Sequence, residues 1–123
     1  MTEKAFSLIA RIKSFRYALA GLWLMLCTQH NAWIHLAATV VVCGTAFVLG
    51  VSAADWRWLI AAIALVWVAE ALNTAFEHLC DVVSPDFHQA VQKSKDIAAG
   101  AVLICAVTAA GIGVVTFWPY VIK

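Results

Sequence analysis

The sequence predicts an all-α membrane protein, with an N-terminal amphipathic surface helix followed by three transmembrane helices. Three observations lead there. Of the 123 residues, 64% are hydrophobic and only 12% charged, a balance far from that of a soluble domain. Apolar stretches long enough to cross a bilayer recur along the chain. The acidic residues gather near the end of one such stretch instead of dispersing over a surface.

Each element follows from its local chemistry. Residues 3–29 set Lys4, Arg11, Lys13 and Arg16 among Phe6, Ile9, Ile12, Phe15 and Leu19, the pattern of a basic helix lying on a membrane. From Gly21 the chain turns apolar and is expected to dip into the bilayer, until His30 and Asn31 break the run. A first span is expected over 32–50, since roughly 20 residues cover the hydrocarbon. Gly50, Ser52 and Asp55 are read as a short loop, and 56–83 as the second span. Ser84 is a good N-cap, Pro85 suits a first helical position and Asp86 complements the helix dipole, so the next helix is expected to start at Pro85. It runs through Lys95 and Asp96 into a third span, 97–118, with Pro119 at its exit. Residues 1–123 thus read as one membrane domain. No cleavable signal peptide is expected, because charges interrupt the N-terminal segment. Cys27, Cys43, Cys80 and Cys105 lack the spacing of a zinc site or a disulfide framework.

Charge sets the orientation. The N-terminal helix and the 84–96 segment hold most of the Lys and Arg, which puts both in the cytoplasm and the C-terminus outside. Trp33, Trp56, Trp58 and Trp118 fall near span ends, as an aromatic belt does. The net charge of +1 offers no argument for a nucleic-acid partner, and none is expected. Ala and Gly are dense in the spans, where small residues let helices approach. Three spans make a thin bundle, and walls for a buried polar site are expected from neighbouring copies in a homo-oligomer.

The chemistry concentrates in Glu70–Asp81, EALNTAFEHLCD. A carboxylate at membrane depth costs roughly 2.5–3.5 kcal/mol even on a lenient scale. At about 100° per residue, positions 70, 73, 77 and 81 lie within roughly 80° of one another. Glu70, Asn73, Glu77 and Asp81 therefore share a stripe suited to something positive, and Mg²⁺ with a phosphate chain fits best, since Mg²⁺ takes one or two carboxylates plus phosphate oxygens. A further carboxylate beside the metal accepts a proton from a lipid hydroxyl. His78 points off this stripe. In KSKDIAAGA, Lys93 to Ala101, Lys95 is placed to neutralise phosphate, and Asp96 to coordinate metal or order the lysine. Taken alone, the pair also fits ordinary interfacial anchoring. No GxxxxGK[ST] loop and no HRD or DFG string is present.

The string AEALNTAFEHLCDVVSPDFHQAVQKSKDIAAGAVL, Ala69 to Leu103, resembles the signature of the small prokaryotic diacylglycerol kinase and undecaprenol kinase family. SFRYALAGL, Ser14 to Leu22, and NAWIHLAAT, Asn31 to Thr39, are similar to it as well. The resemblance implies a lipid kinase of the inner membrane, forming a homotrimer, that moves the γ-phosphoryl of ATP to a membrane lipid alcohol with Mg²⁺ as cofactor. By the same resemblance Glu70 is the general base, Glu77 a metal ligand, Asn73 and Asp81 nucleotide-site residues, and Lys95 the phosphate contact with Asp96 beside it. Tyr17 aligns with a residue near the adenine, Arg11 is a candidate for holding phosphate or anionic lipid, and Ala99 and Glu70 fall at the lipid site. His35 is read as a hydrogen-bond partner of the site or lipid head, or as a satisfied interfacial polar residue. Gln29 stands where many relatives carry a metal-binding glutamate, and His30 where arginine is common; Phe76 and Ser94 depart without altering chemistry. The Asn31 to His35 string tilts the acceptor toward undecaprenol over diacylglycerol. A small proton-coupled exporter also has this length, but its carboxylate belongs near the midplane. A non-catalytic subunit leaves the clustered charges without a purpose.

Overall fold

The computed structural model describes residues 6–123. Four helices follow in chain order: α1 (Leu8–Thr28), α2 (His30–Leu49), α3 (Ala53–Val83) and α4 (Gln89–Val121). The last three are long and apolar enough to cross a membrane. This is the expected all-α architecture. Residues 3–5 of the expected surface helix, Lys4 among them, lie outside the described residues.

Local chemistry explains each boundary. Ser7 opens α1, its hydroxyl accepting from the Ala10 N–H at 3.4 Å. The expected break at His30 and Asn31 falls instead on one residue, Gln29, whose backbone is extended (φ −111°, ψ 118°). His30 and Asn31 sit in the first turn of α2, where N–H groups lack intrahelical partners anyway and polar residues cost little. Gly50 ends α2 in the left-handed conformation (φ 61°, ψ 45°), which a residue without Cβ adopts freely. Its N–H bonds to Phe47 O and that of Val51 to Ala46 O, a Schellman closure. Ser52 then caps α3: its hydroxyl accepts from the Asp55 N–H at 3.1 Å and donates to the Asp55 carboxylate at 2.9 Å. Asp55 thus belongs to the first turn of α3, not to a loop.

Two further expectations are corrected. Ser84 does not cap a helix starting at Pro85. It closes α3, with its N–H on Cys80 O, and its hydroxyl donates to Asp86 O at 3.0 Å. With that hydroxyl engaged, α4 starts later, at Gln89, where the His88 ring accepts from the Ala90 N–H at 3.2 Å. Pro119 lies inside the last turn of α4, which continues to Val121.

Helices α3 and α4 make the most extensive contact of the fold. Near the Gly50 turn, Ala46, Val51 and Leu59 are buried together, with Trp56, Phe117 and Tyr120 around them. There the Tyr120 hydroxyl donates to the Asp55 carboxylate at 2.5 Å and accepts from the Ser52 N–H at 3.0 Å, tying the end of α4 to the start of α3. At the other end the helices differ in reach. With 20, 31 and 33 residues, α2, α3 and α4 are about 30, 46 and 50 Å long. His35 meets Glu70 and Thr39 meets Trp67, an antiparallel register that sets His30 about level with Ala75. Beyond that level α3 continues past α2, carrying Glu77 and Asp81 beside α4.

Leu59 is only 1% exposed at the centre of the buried cluster. Leu59→Ala is expected to destabilise the protein by at least about 2 kcal/mol, read as a lower thermal unfolding midpoint in detergent micelles.

Candidate active site

The charged residues form a ladder along α3. Its first rung, Glu70, is 1% exposed, the most buried ionisable side chain among the described residues. Burial of a carboxylate requires a partner, and α2 supplies one: the His35 Nε2 lies 3.3 Å from Glu70 Oε2. One turn further on, the Asn73 amide donates to Glu77 Oε1 at 3.2 Å. Asn73 Oδ1 is buried and without a hydrogen bond, as is the Thr74 hydroxyl. At the last rung the Lys95 ammonium, from α4, donates to Asp81 Oδ1 at 2.8 Å.

The stripe read from the sequence is therefore real as a surface but divided among partners. Glu70 turns to α2, Asn73 and Glu77 to each other, and Asp81 to α4. Lys95 does face the acidic stripe. Asp96 does not order that lysine: it is exposed and accepts from Gln92 on its own helix at 2.9 Å. Ala99 is exposed one turn further along α4. Gln29 is half-buried at the α1–α2 joint, and no hydrogen bond among the described residues links its side chain to Glu77. Arg11 and Tyr17 are exposed on α1, with the Arg11 guanidinium 5.9 Å from the Phe6 ring centroid. His78 is exposed, off the stripe as read.

Two cavities adjoin the ladder. A mostly apolar one of about 520 Å³ runs between α2, α3 and α4, from His35 and Trp67 at one end to Leu59 and Phe117 at the other. A second, about 380 Å³, lies between α1 and α3, bordered by Gly21, Met25, Thr74 and His78. Sequence reasoning missed Thr39 and Trp67. The Trp67 indole N–H donates to the Thr39 hydroxyl at 3.0 Å, and that hydroxyl donates to the His35 carbonyl at 2.7 Å. Each residue looks ordinary in an apolar run; only the register of α2 on α3 pairs them.

No three His, Cys, Asp or Glu side chains converge into a metal cage among the described residues. Mg²⁺ does not need one, since it keeps waters and draws oxygens from phosphates. The unpaired Asn73 oxygen beside the Glu77 carboxylate is a donor set of the kind it takes.

A bundle of membrane-length helices with a graded polar ladder at one end defines a small integral-membrane enzyme. The family model for prokaryotic diacylglycerol kinase matches residues 16–117, and the chain belongs to that family: it is a lipid kinase, and its reaction is nucleotide-dependent. The chain is 37% identical over 109 residues to the undecaprenol kinase of Bacillus subtilis (strain 168), covering 87% of each chain. To a diacylglycerol kinase of Synechocystis it is 40% identical over 101 residues, 81% of this chain and 58% of that one. To the diacylglycerol kinase of Escherichia coli (strain K12) it is 30% identical over 117 residues, 89% of each. Family membership sets the exporter reading aside.

The Asp81 side chain is 68% exposed, and exposed ion pairs add little to stability. Asp81→Asn is expected to leave the unfolding midpoint nearly unchanged while lowering kinase activity, both measured on the same micellar preparation.

Proposed function

We propose that the protein transfers the γ-phosphoryl group of ATP to the primary hydroxyl of undecaprenol, at the cytoplasmic face of the bacterial inner membrane. The observation that carries this reading is Glu70. It is a buried carboxylate paired with His35, which lines an apolar cavity, and it lies one turn from an oxygen-rich pair and three turns from the level of a lysine.

The lipid tail lies among the apolar helix faces, which brings its hydroxyl to Glu70. The hydroxyl proton passes to the Glu70 carboxylate as the lipid oxygen attacks the γ-phosphorus. A new O–P bond forms, the bond from the γ-phosphorus to the bridging oxygen breaks, and its electron pair leaves on ADP. Lys95 contacts the phosphates, and Asp81 holds its ammonium in place until they arrive. Glu77, Asn73 Oδ1 and Gln29 would hold Mg²⁺, which when bound neutralises charge on the triphosphate. Asp96 borders the nucleotide, and Ala99 the lipid. Among the described residues Arg11 and Tyr17 make no hydrogen bond to the ladder of their own chain, and in a homotrimer they would serve a neighbour's site. The Lys and Arg bias supports a cytoplasmic N-terminus, with the ladder facing the cytoplasmic half of the bilayer.

The choice of lipid is supported by the Asn31 to His35 string and by the match to the Bacillus subtilis undecaprenol kinase over 87% of both chains. Diacylglycerol, giving phosphatidate, is the second reading, favoured by the 40% identity to the Synechocystis enzyme.

The test is label transfer from γ-labelled ATP and Mg²⁺ in mixed micelles, with undecaprenol and diacylglycerol offered separately. Faster labelling of undecaprenol is expected; faster labelling of diacylglycerol would reverse the choice. Glu70→Gln is expected to reduce transfer by about 10²- to 10⁴-fold with the oligomer intact, the usual share of a positioned base. Gln29→Glu is expected to lower the Mg²⁺ concentration for half-maximal activity, because it adds a charged oxygen ligand; an unchanged titration would remove residue 29 from the metal site.

A further inference from the structure

Glu70 is gripped through one oxygen only. Among the described residues its hydrogen bonding engages Oε2, at 3.3 Å from the His35 Nε2, and leaves Oε1 uncommitted. The imidazole is itself held. Its ring meets the Trp67 ring edge-on, with centroids 6.4 Å apart and planes at 65°. The Trp67 N–H donates to the Thr39 hydroxyl, which donates in turn to the backbone carbonyl of His35. Trp67 precedes Glu70 by one turn of α3. Glu70, His35, Thr39 and Trp67 therefore close a circuit between the two helices. Its members are buried or half-buried.

We propose that His35 is a positioning residue for Glu70. Its Nε2–H donates to Oε2, fixes the plane of the carboxylate, and presents Oε1 as the oxygen that takes the lipid hydroxyl proton. The inference rests on the reading of Glu70 as the base. In this role His35 orients the base through its Nε2–H and does not itself take the lipid proton. The circuit explains why an aromatic residue and a threonine stand opposite each other in otherwise aliphatic spans: they hold the imidazole at the right rotation. A plain interhelical clamp makes the same contacts but predicts a different result, loss of stability without loss of turnover.

The experiment uses the full-length protein in mixed micelles with Mg²⁺ and ATP, following initial rates against ATP and against each lipid. His35→Ala is expected to lower kcat about 10- to 100-fold, the usual cost of losing an orienting hydrogen bond behind a reacting group. KM for both substrates should stay unchanged, since the lost contact acts in the transition state. His35→Gln places an amide N–H where Nε2 was and should recover most of the rate. Trp67→Phe keeps an aromatic edge but drops the N–H to Thr39, and should cause a smaller fall in kcat. Helix content and oligomer size are measured for each variant; should His35→Ala not fold, His35→Gln and Trp67→Phe decide the question.

A wild-type kcat in His35→Ala overturns the proposal. So does an unchanged kcat with a raised KM for lipid, which makes His35 a lipid contact. So does a folded His35→Gln as slow as His35→Ala, or, if His35→Ala does not fold, a folded His35→Gln with strongly reduced kcat or a Trp67→Phe at the wild-type rate. Glu70→Gln run alongside separates the two failures: if it is inactive while His35→Ala is normal, Glu70 remains the base without this support. If Glu70→Gln keeps full rate, the base assignment itself falls and takes the positioning role with it.

Discussion

The fold is organised around the expense of burying one carboxylate. Glu70 has almost no contact with solvent, and an unpaired charge in that setting costs several kcal/mol. The pairing with His35 answers that expense, but only if α2 and α3 lie in one register. That register in turn depends on a tight reversal. Gly50 in the left-handed conformation and the Ser52 cap turn the chain within a few residues, and the Asp55–Tyr120 bond locks the far end of α4 to the same place. A longer or looser turn would let α3 slide, and a slide of one residue rotates Glu70 by about 100° away from α2.

From that fixed point the ladder rises from dry to wet. Glu70 is buried, Glu77 half-buried and Asp81 largely exposed. The environment changes because α3 outruns α2, not because the residue types change. Proton acceptance, metal binding and phosphate contact want different surroundings: a base gains from desolvation, Mg²⁺ keeps its waters, and ATP arrives from solution. One helix here carries a buried, a half-buried and an exposed carboxylate in order.

Much of this is legible in the sequence, and the limits have physical causes. The spans are legible because hydrocarbon thickness fixes their length. The acidic stripe is legible because helical periodicity is local. The facing of Lys95 toward Asp81 is legible too, since a short connection leaves those ends nowhere else to go. The start of α4 is not. Ser84 carries a good capping hydroxyl, but it bonds to Asp86 and leaves His88 to cap. Which of two nearby caps wins turns on a difference of about 1 kcal/mol that composition does not reveal. The partnership of Thr39 with Trp67 is hidden for another reason: the two residues are 28 apart in sequence and meet only once their helices are set in register.

The joint at Gln29 has a mechanical consequence. A single extended residue separates two helices, so one pair of backbone torsions aims the whole of α1. With 21 residues and about 31 Å of length, α1 is a lever whose far end moves about 5 Å for a rotation of about 10° at its base. The side chain at that pivot is a half-buried carboxamide. A change in those torsions would shift the bearing of a basic helix and, with it, the reach of Arg11 and Tyr17.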